Sequence, residues 1–267
     1  LFGIAGDGEL RRFTGQDGIT LRGLGVKLFF IPVMTVFFVD QFSHLANNFG
    51  FIAHVLTREP WTRLLRVLDF HNISFSLIFS IDVGLAWCGY VAASRWIKTT
   101  TVSVEPTVLG WTVALLSYPP FRVVLGFYLS IPSESGYLSI PHHALVLLFA
   151  AISTASYAIY MSATVVFGLR FSNLTHRGIV TTGPYAYLRH PAYAAKNLAW
   201  WTVMMPHVLY RGLVQGAPGT LVQLLGLVGL TWLYYLRAIT EERHLGRDPA
   251  YRAYCRQVPW RFIPWVL

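Results

Sequence analysis

The residue types best suited to chemistry lie in two polar segments of the second half of the chain, 173–193 and 237–264. A glycine and a proline at 183–184 break any helix within the first segment. Pro191 disfavours a helical conformation at His190 and is itself suited to the first position of a helix. The sequence therefore predicts a folded loop that leads into a helix beginning at Pro191, with His190 as its cap.

The start of this helix is a candidate anion site. The free amide groups and the positive dipole end of a helix that begins at Pro191 bind carboxylates or phosphates well. Arg189 and His190 have a second explanation, because cationic side chains also mark the cytoplasmic surface of membrane proteins. Tyr185 and Tyr193 are either interfacial aromatic residues or walls of a pocket for a planar ligand. The residues alone leave both interpretations open.

The second segment places Arg237 and Glu241 four residues apart, and therefore on one face of a helix. An exposed ion pair of this kind contributes only about 0.3–0.5 kcal/mol. The alternative is a dipolar clamp, in which Glu241 accepts hydrogen bonds from a bound cofactor and Arg237 faces an anionic substrate. Beyond these residues, the aromatic side chains of 251–265 favour an amphipathic cap at the membrane surface.

The elements that position these segments are predicted to lie in lipid. Of the 267 residues, 54% are hydrophobic and 12% are charged, against roughly 45–50% and 25% in ordinary soluble domains. The two cysteines lie in unrelated surroundings, which excludes a disulfide framework or a paired-cysteine metal site. The net charge of +9 comes from Lys and Arg scattered between apolar runs, which is typical of membrane topology rather than nucleic-acid binding. We therefore expect membrane lipids, and no nucleic acid, as partners.

The predicted fold class is all-α, a polytopic integral membrane helical bundle with about six transmembrane helices. The first is one long or broken element, and the last two form a helical hairpin joined by a turn that contains glycine and proline. The segment 59–69 is expected to be an interfacial helix. The Lys and Arg bias then places both termini and both polar segments on the cytoplasmic side. The predicted spans are 28–56, 73–93, 108–129, 144–169, 198–210 and 221–236.

At its two polar segments the sequence resembles the isoprenylcysteine carboxyl methyltransferase family of integral membrane enzymes and the related phospholipid methyltransferases. The resemblance rests on the run Ile-Val-Thr-Thr-Gly-Pro-Tyr-Ala-Tyr-Leu-Arg-His-Pro-Ala-Tyr at 179–193. It rests also on Arg-x-x-x-Glu at 237–241, followed by Tyr-x-x-Tyr at 251–254 and Val-Pro at 258–259. Residues 1–140 carry no such motif and are interpreted as N-terminal transmembrane helices of unassigned role. Residues 141–267 are interpreted as a methyltransferase-like region.

The resemblance implies an S-adenosylmethionine-dependent methyltransferase with a cytoplasmic cofactor pocket, formed by the loop before the last hairpin and by the C-terminal tail. The acceptor would be a prenylated or lipid-like carboxylate that reacts by direct in-line transfer, and no metal is expected. The candidate catalytic residues are Arg237, which would face the substrate, Arg189 and Glu242. The implied cofactor-binding residues are Gly178, Ile179, Val180, Tyr185, His190, Pro191, Ala192, Tyr193 and Glu241.

Two places depart from the family's pattern. Arg177 stands where a His is familiar, and Lys196 with Asn197 stands where small or apolar residues are common. The first departure concerns cofactor contact and the second concerns the substrate. If the acceptor is an amine, Glu242 or His244 would serve as the base that removes its proton.

Two other classes of function stay open on the sequence. A sterol-reductase-like membrane oxidoreductase also carries an Arg-His-Pro-x-Tyr run and would use NADPH. A receptor or transporter would explain Asp40, Asp82 and Arg122 within apolar runs, although helix ends and polar partners explain them as well.

Overall fold

The computed structural model describes residues 2–4, 10–12, 15–57, 63–92, 96, 99–121, 143–210, 212, 216 and 219–266, with side chains between 48 and 69 left out. Most of this part of the chain is helical, as the sequence predicts. Its helices are α1 (Gly15–Thr57), α2 (Arg63–Val91), α3 (Val108–Leu115), α4 (His143–Phe167), α5 (Pro191–Leu209), α6 (Gly219–Leu245) and α7 (Pro249–Gln257). Two short antiparallel pairs join β1 (Phe2–Ile4) to β2 (Leu10–Arg12) and β3 (Ser103–Val104) to β4 (Thr175–His176).

Four helices within the described residues are long and apolar enough to cross a membrane. The four candidate spans are Gly15–Asn47, Phe70–Val91, His143–Arg170, which includes a 3-10 turn after α4, and Gly219–Leu245. This finding is consistent with a membrane protein but does not support six spans. α5, the first arm of the predicted hairpin, is a helix of 19 residues that is not among the four. Lys196, Asn197 and His207 interrupt its apolar sequence.

The predicted span at 108–129 is wrong as a single helix. α3 begins at Val108 but ends at Leu115 after eight residues. Turns follow up to residue 121, where Pro119 and Pro120 cannot continue a helical hydrogen-bond ladder. Residues 122–142, which include Arg122, lie outside the described residues.

The first predicted span is a single long helix rather than a broken one. α1 continues through the polar residues at 40–44. Asp40 and His44 are one helical turn apart, and His44 Nε2 lies 3.6 Å from Asp40 Oδ1. The sequence predicts an interfacial helix at 59–69, but residues 63–69 are the first residues of α2, which begins at Arg63. Residues 58–62 lie outside the described residues.

The helices pack around aromatic rings and small side chains. Phe30 of α1 stacks on Tyr90 of α2 with ring centres 5.0 Å apart, and both side chains are fully buried. α5 packs most extensively on α4, where Ala195 and Ala199 are buried beside Tyr157 and Tyr160. Small residues on α5 allow this close approach. The packing fixes α5 relative to the apolar helices that flank it.

Asp82 connects α2 to α4 inside this packing and is 7% exposed. The Tyr160 hydroxyl donates to its Oδ2 at 2.7 Å, and the Thr164 hydroxyl donates to its Oδ1 at 2.8 Å. An acidic side chain in an apolar interior is costly unless it is hydrogen-bonded in this way. Asp82 is therefore a paired group, one of the explanations that the sequence allows.

The variant Asp82→Ala removes the acceptor of these two hydroxyl groups. We expect the free energy of unfolding in detergent to fall by about 1–3 kcal/mol, the cost of leaving buried polar groups unsatisfied. Asp40→Ala is the matched control, because the Asp40 side chain is 60% exposed. It should cause no loss, and equal losses in both variants would contradict the role of Asp82 in joining α2 to α4.

Candidate functional site

Residues 171–190 form the loop that the sequence predicts before α5. Its strand β4 pairs with β3, with His176 opposite Ser103 and Thr175 opposite Val104. A short 3-10 turn then begins at Gly183, whose φ is +60°. This left-handed conformation favours glycine, and the turn redirects the chain towards α5. The loop is thus held by a strand from the first half of the chain.

The start of α5 matches its prediction from sequence. The helix begins at Pro191, and His190 precedes it with φ −127° and ψ 57° and makes no side-chain capping bond. The first amides of a helix have no partner within the helix. Ala192 and Tyr193 of this first turn line a cavity. The positive end of α5 therefore faces that cavity.

The chain after α6 packs against the loop through its backbone. The Arg189 amide donates to the Trp260 carbonyl at 2.9 Å, and the His190 amide donates to the Arg261 carbonyl at 3.0 Å. Both bonds are made by the last two residues before α5. The two polar segments, distant in sequence, therefore meet directly before Pro191.

α7 makes a second contact with the loop through tyrosines. The Tyr254 hydroxyl donates to the carbonyls of Tyr185 at 2.7 Å and Leu188 at 3.2 Å. Burial raises the pKa of the Tyr254 phenol, which therefore stays protonated and able to donate. Ile179 packs on the buried pair Tyr251 and Tyr254. The Tyr-x-x-Tyr motif thus has a structural role in holding the loop.

Glu242 holds both segments together and is 11% exposed. Its Oε1 lies 3.1 Å from His190 Nε2 and 3.3 Å from Arg189 Nη1. Its Oε2 accepts a hydrogen bond from Arg261 Nε at 2.9 Å. Contacts between ionised groups of this kind are stronger than neutral hydrogen bonds. Glu242 is placed to orient the start of α5, and its role as a base stays a prediction.

Glu241 and Arg237 do not form the direct ion pair that their spacing allows; within the described chain each has other partners. Glu241 accepts a hydrogen bond from the Tyr193 hydroxyl at 2.9 Å and is 39% exposed. Arg237 is 8% exposed, and its Nη2 donates to Asn173 Oδ1 at 2.8 Å. The guanidinium carbon also lies 5.1 Å from the centre of the Tyr193 ring. Tyr193 thus separates an accessible carboxylate from a buried cation.

A partly enclosed cavity of about 140 Å³ lies among these groups. A single buried water needs only roughly 10–15 Å³. The cavity is therefore large enough for more than isolated water molecules. Its tyrosines and charged or ionisable residues are Tyr118, Tyr160, Tyr185, Tyr193, Tyr234, Glu105, Arg189, His190, Lys196, Arg237, Glu241 and His244.

Most of the predicted site residues converge on this cavity. Those that line it are Tyr185, Arg189, His190, Ala192, Tyr193, Arg237 and Glu241. The predicted residues that are not part of the lining, although all are described, are Gly178, Ile179, Val180, Pro191 and Glu242. Whether any of them binds a cofactor stays a prediction.

The loop residues before Gly183 contact other parts of the described structure. Val180 is buried against Ala163 and Tyr185. Gly178 has a φ of +100°, a conformation that favours glycine. Arg177, the first departure from the family's pattern, is 5% exposed and donates from Nη1 to the Gly89 carbonyl of α2. These contacts anchor the loop on the helices beneath it.

Glu105 is a cavity residue that the sequence motifs do not reveal. Its side chain is 3% exposed, with Oε2 3.7 Å from His244 Nδ1 and Oε1 3.5 Å from Arg243 Nη2. Ser103 Oγ lies 2.8 Å from His244 Nε2. An isolated acidic residue in the first half of the chain gives no signal of such a position. Residues 103–118 nevertheless supply one wall of the cavity.

Comparison of the chain with protein-family models, with curated proteins and with solved structures finds no match. The functional argument therefore rests on the geometry of the cavity and on the two motifs. Both motifs, at 179–193 and at 237–259, contribute side chains to the cavity lining.

Glu242→Gln should loosen the segment after α6 from the start of α5, because a neutral amide cannot pair with Arg189 and Arg261. We expect amide hydrogen exchange at Arg189 and His190 to accelerate by about tenfold or more, a loss of about 1.4 kcal/mol or more in local stability. Hydrogen-exchange mass spectrometry of the peptide around 189–190 measures this change. Glu241→Gln is the matched control, and equal acceleration in both variants would contradict the role of Glu242.

Proposed function

We propose that this chain is an integral membrane, S-adenosylmethionine-dependent methyltransferase that acts on a lipophilic carboxylate. The observation that carries the proposal is the convergence of the first turn of α5, Glu241 and Arg237 on one cavity. The motif resemblance assigns these three elements to the cofactor and the substrate. The four long apolar helices are consistent with an acceptor that is prenylated or lipid-like.

The residues of the cavity fit the polar groups of S-adenosylmethionine. The free amides at the first turn of α5 suit its carboxylate. Glu241, which remains 39% exposed, suits its ammonium group or its ribose hydroxyls. The rings of Tyr185 and Tyr193 line the cavity and suit a sulfonium, because aromatic faces attract cations.

Bound S-adenosylmethionine would supply a methyl group on a good leaving group, so the protein's tasks are alignment and exclusion of water. Arg237 lines the cavity and is suited to orient a carboxylate. In the described contacts one of its three guanidinium nitrogens, Nη2, donates to Asn173, which leaves Nε and Nη1 for a ligand. A carboxylate acceptor is already ionised at neutral pH and needs no base.

Glu242, one of the two candidate bases for an amine, already contacts Arg189, His190 and Arg261. The other candidate, His244, lies 3.7 Å from Glu105 and 2.8 Å from Ser103. The choice of a carboxylate therefore rests on the motif resemblance and on Arg237, and an amine acceptor stays the alternative.

The proposal includes a multi-pass topology with the cavity and both termini on the cytoplasmic side. Its support is the Lys and Arg bias of the sequence. The arginines at 243, 247, 252, 256 and 261 all follow the apolar part of α6, and Arg243 pairs with Glu105 of the cavity wall. A cavity at this boundary would receive its cofactor from water and its acceptor from lipid.

Glu241→Gln should weaken S-adenosylmethionine binding, because it removes the negative charge at the cofactor site. We expect a loss of about ten- to a hundredfold in affinity, the value of one charge-assisted hydrogen bond of about 1.5–3 kcal/mol. Isothermal titration calorimetry on the solubilised full chain measures it, with Asp40→Asn as the control that should bind normally. Binding of NADPH in place of S-adenosylmethionine by the unchanged protein would refute the proposal and favour the sterol-reductase-like alternative.

Arg237→Gln should impair methyl transfer more than cofactor binding, because the residue is assigned to the acceptor. We expect transfer of labelled methyl groups to a membrane lipid extract to fall by about tenfold or more, as for loss of a positioning charge. The affinity for S-adenosylmethionine should change by less than about threefold, a difference below 1 kcal/mol. Arg252→Gln is the control, since Arg252 is exposed and, among the described residues, donates to the carbonyls of Gly246 and Arg247. Normal transfer by Arg237→Gln would show that the residue does not act on the acceptor.

A further inference from the structure

Lys196 of α5 has no part in the cofactor contacts proposed above, although it lines the same cavity. Its side chain is half-buried, and Nζ lies 4.8 Å from the centre of the Tyr160 ring and 5.3 Å from that of the Phe79 ring. These rings belong to α4 and α2, two of the helices apolar enough to cross a membrane. The Lys196 amine therefore lies where the cavity borders the apolar helices.

Arg189 and Glu105 of the cavity wall have partners of opposite charge, whereas Arg237 donates to Asn173. Arg189 lies 3.3 Å from Glu242, and Glu105 lies 3.5 Å from Arg243. Within the described part of the chain, the contacts of the Lys196 amine are with ring faces and not with a carboxylate. A ring face attracts an ammonium less strongly than a carboxylate or a phosphate does, because the anion carries a full charge and accepts hydrogen bonds. An anion bound in the cavity would therefore stabilise the Lys196 amine.

Asp82 of α2 lies next to this cluster, because it accepts a hydrogen bond from Tyr160. Its two oxygens accept hydrogen bonds from the hydroxyls of Tyr160 and Thr164. Among the described ion pairs there is none between Asp82 and Lys196. Asp82 is therefore occupied in joining α2 to α4, and Lys196 is directed to the cavity.

We infer that Lys196 binds an acidic group of the methyl acceptor, a carboxylate or a phosphate, and so selects anionic over neutral lipophilic molecules. The inference rests on the proposed function for the identity of this molecule as an acceptor. It adds a specificity residue on the border with the apolar helices. Lys196 is one of the two positions at which the sequence departs from the family's pattern, and small or apolar residues there would offer no such charge.

The test measures lipid binding by the full chain in phosphatidylcholine nanodiscs without S-adenosylmethionine. The probes are palmitate, hexadecyl phosphate and the neutral palmitamide, each displacing a fluorescent fatty acid. Acetate and inorganic phosphate carry the same acidic groups without an alkyl chain. They test whether the site binds a free anion or the acidic group of a lipophilic molecule. We expect the unchanged protein to bind palmitate or hexadecyl phosphate at least about tenfold more tightly than palmitamide, the worth of one charge-assisted contact, and acetate and phosphate not to compete.

Lys196→Met should reduce this preference by at least about threefold and leave the part that Arg237 contributes, whereas Lys196→Arg should retain the whole preference, because arginine keeps the positive charge. Lys27→Met is the matched control, because Lys27 is half-buried on α1 and is not part of the cavity lining among the described residues. If Lys196→Met does not fold, Lys196→Gln takes its place. An unchanged preference in the neutral variant, or competition by acetate and phosphate alone, would overturn the inference.

The same variants separate this inference from its alternatives. If Lys196 only balances the charge of Asp82, Lys196→Met will lower the unfolding temperature and leave the preference for acidic probes intact, which overturns the inference. Failure of the unchanged protein to bind S-adenosylmethionine would refute the proposed function instead. The lipid measurement is made without that cofactor, so its result stands on its own.

Discussion

The pairing of Glu242 with Arg189, His190 and Arg261 is the interaction on which the arrangement of the cavity depends. A carboxylate that is 11% exposed must be neutralised and hydrogen-bonded, since an unpaired buried charge is costly. Its partners come from the loop before α5 and from the chain after α7. Satisfying one acid therefore fixes two segments that are distant in sequence, and with them the first turn of α5.

The adjacent acids Glu241 and Glu242 have different surroundings because of helix geometry. Successive residues of a helix point about 100° apart. Glu242 consequently reaches the loop and the segment after α7, while Glu241 meets Tyr193 and keeps 39% of its side chain exposed. One side chain holds the cavity in shape, and its neighbour remains available to a ligand.

Local features of this structure follow from sequence, and long-range partners do not. The start of α5 at Pro191 depends on the backbone limits of proline alone, so the motif predicts it. The end of α3 at Leu115 was missed because average hydropathy over 108–129 takes no account of Pro119 and Pro120. The position of Glu105 depends on the pairing of β3 with β4, which no local pattern specifies. Four of the predicted spans have helices of sufficient length and apolar character, since hydropathy measures that property directly.

The contacts of residues 260 and 261 with Arg189 and His190 have a consequence for biosynthesis. Trp260 and Arg261 are synthesised after α1 to α6, so the backbone contacts that close this side of the cavity are the last of its walls to form during synthesis. A nascent chain that ends before residue 260 lacks both hydrogen bonds to the entry of α5.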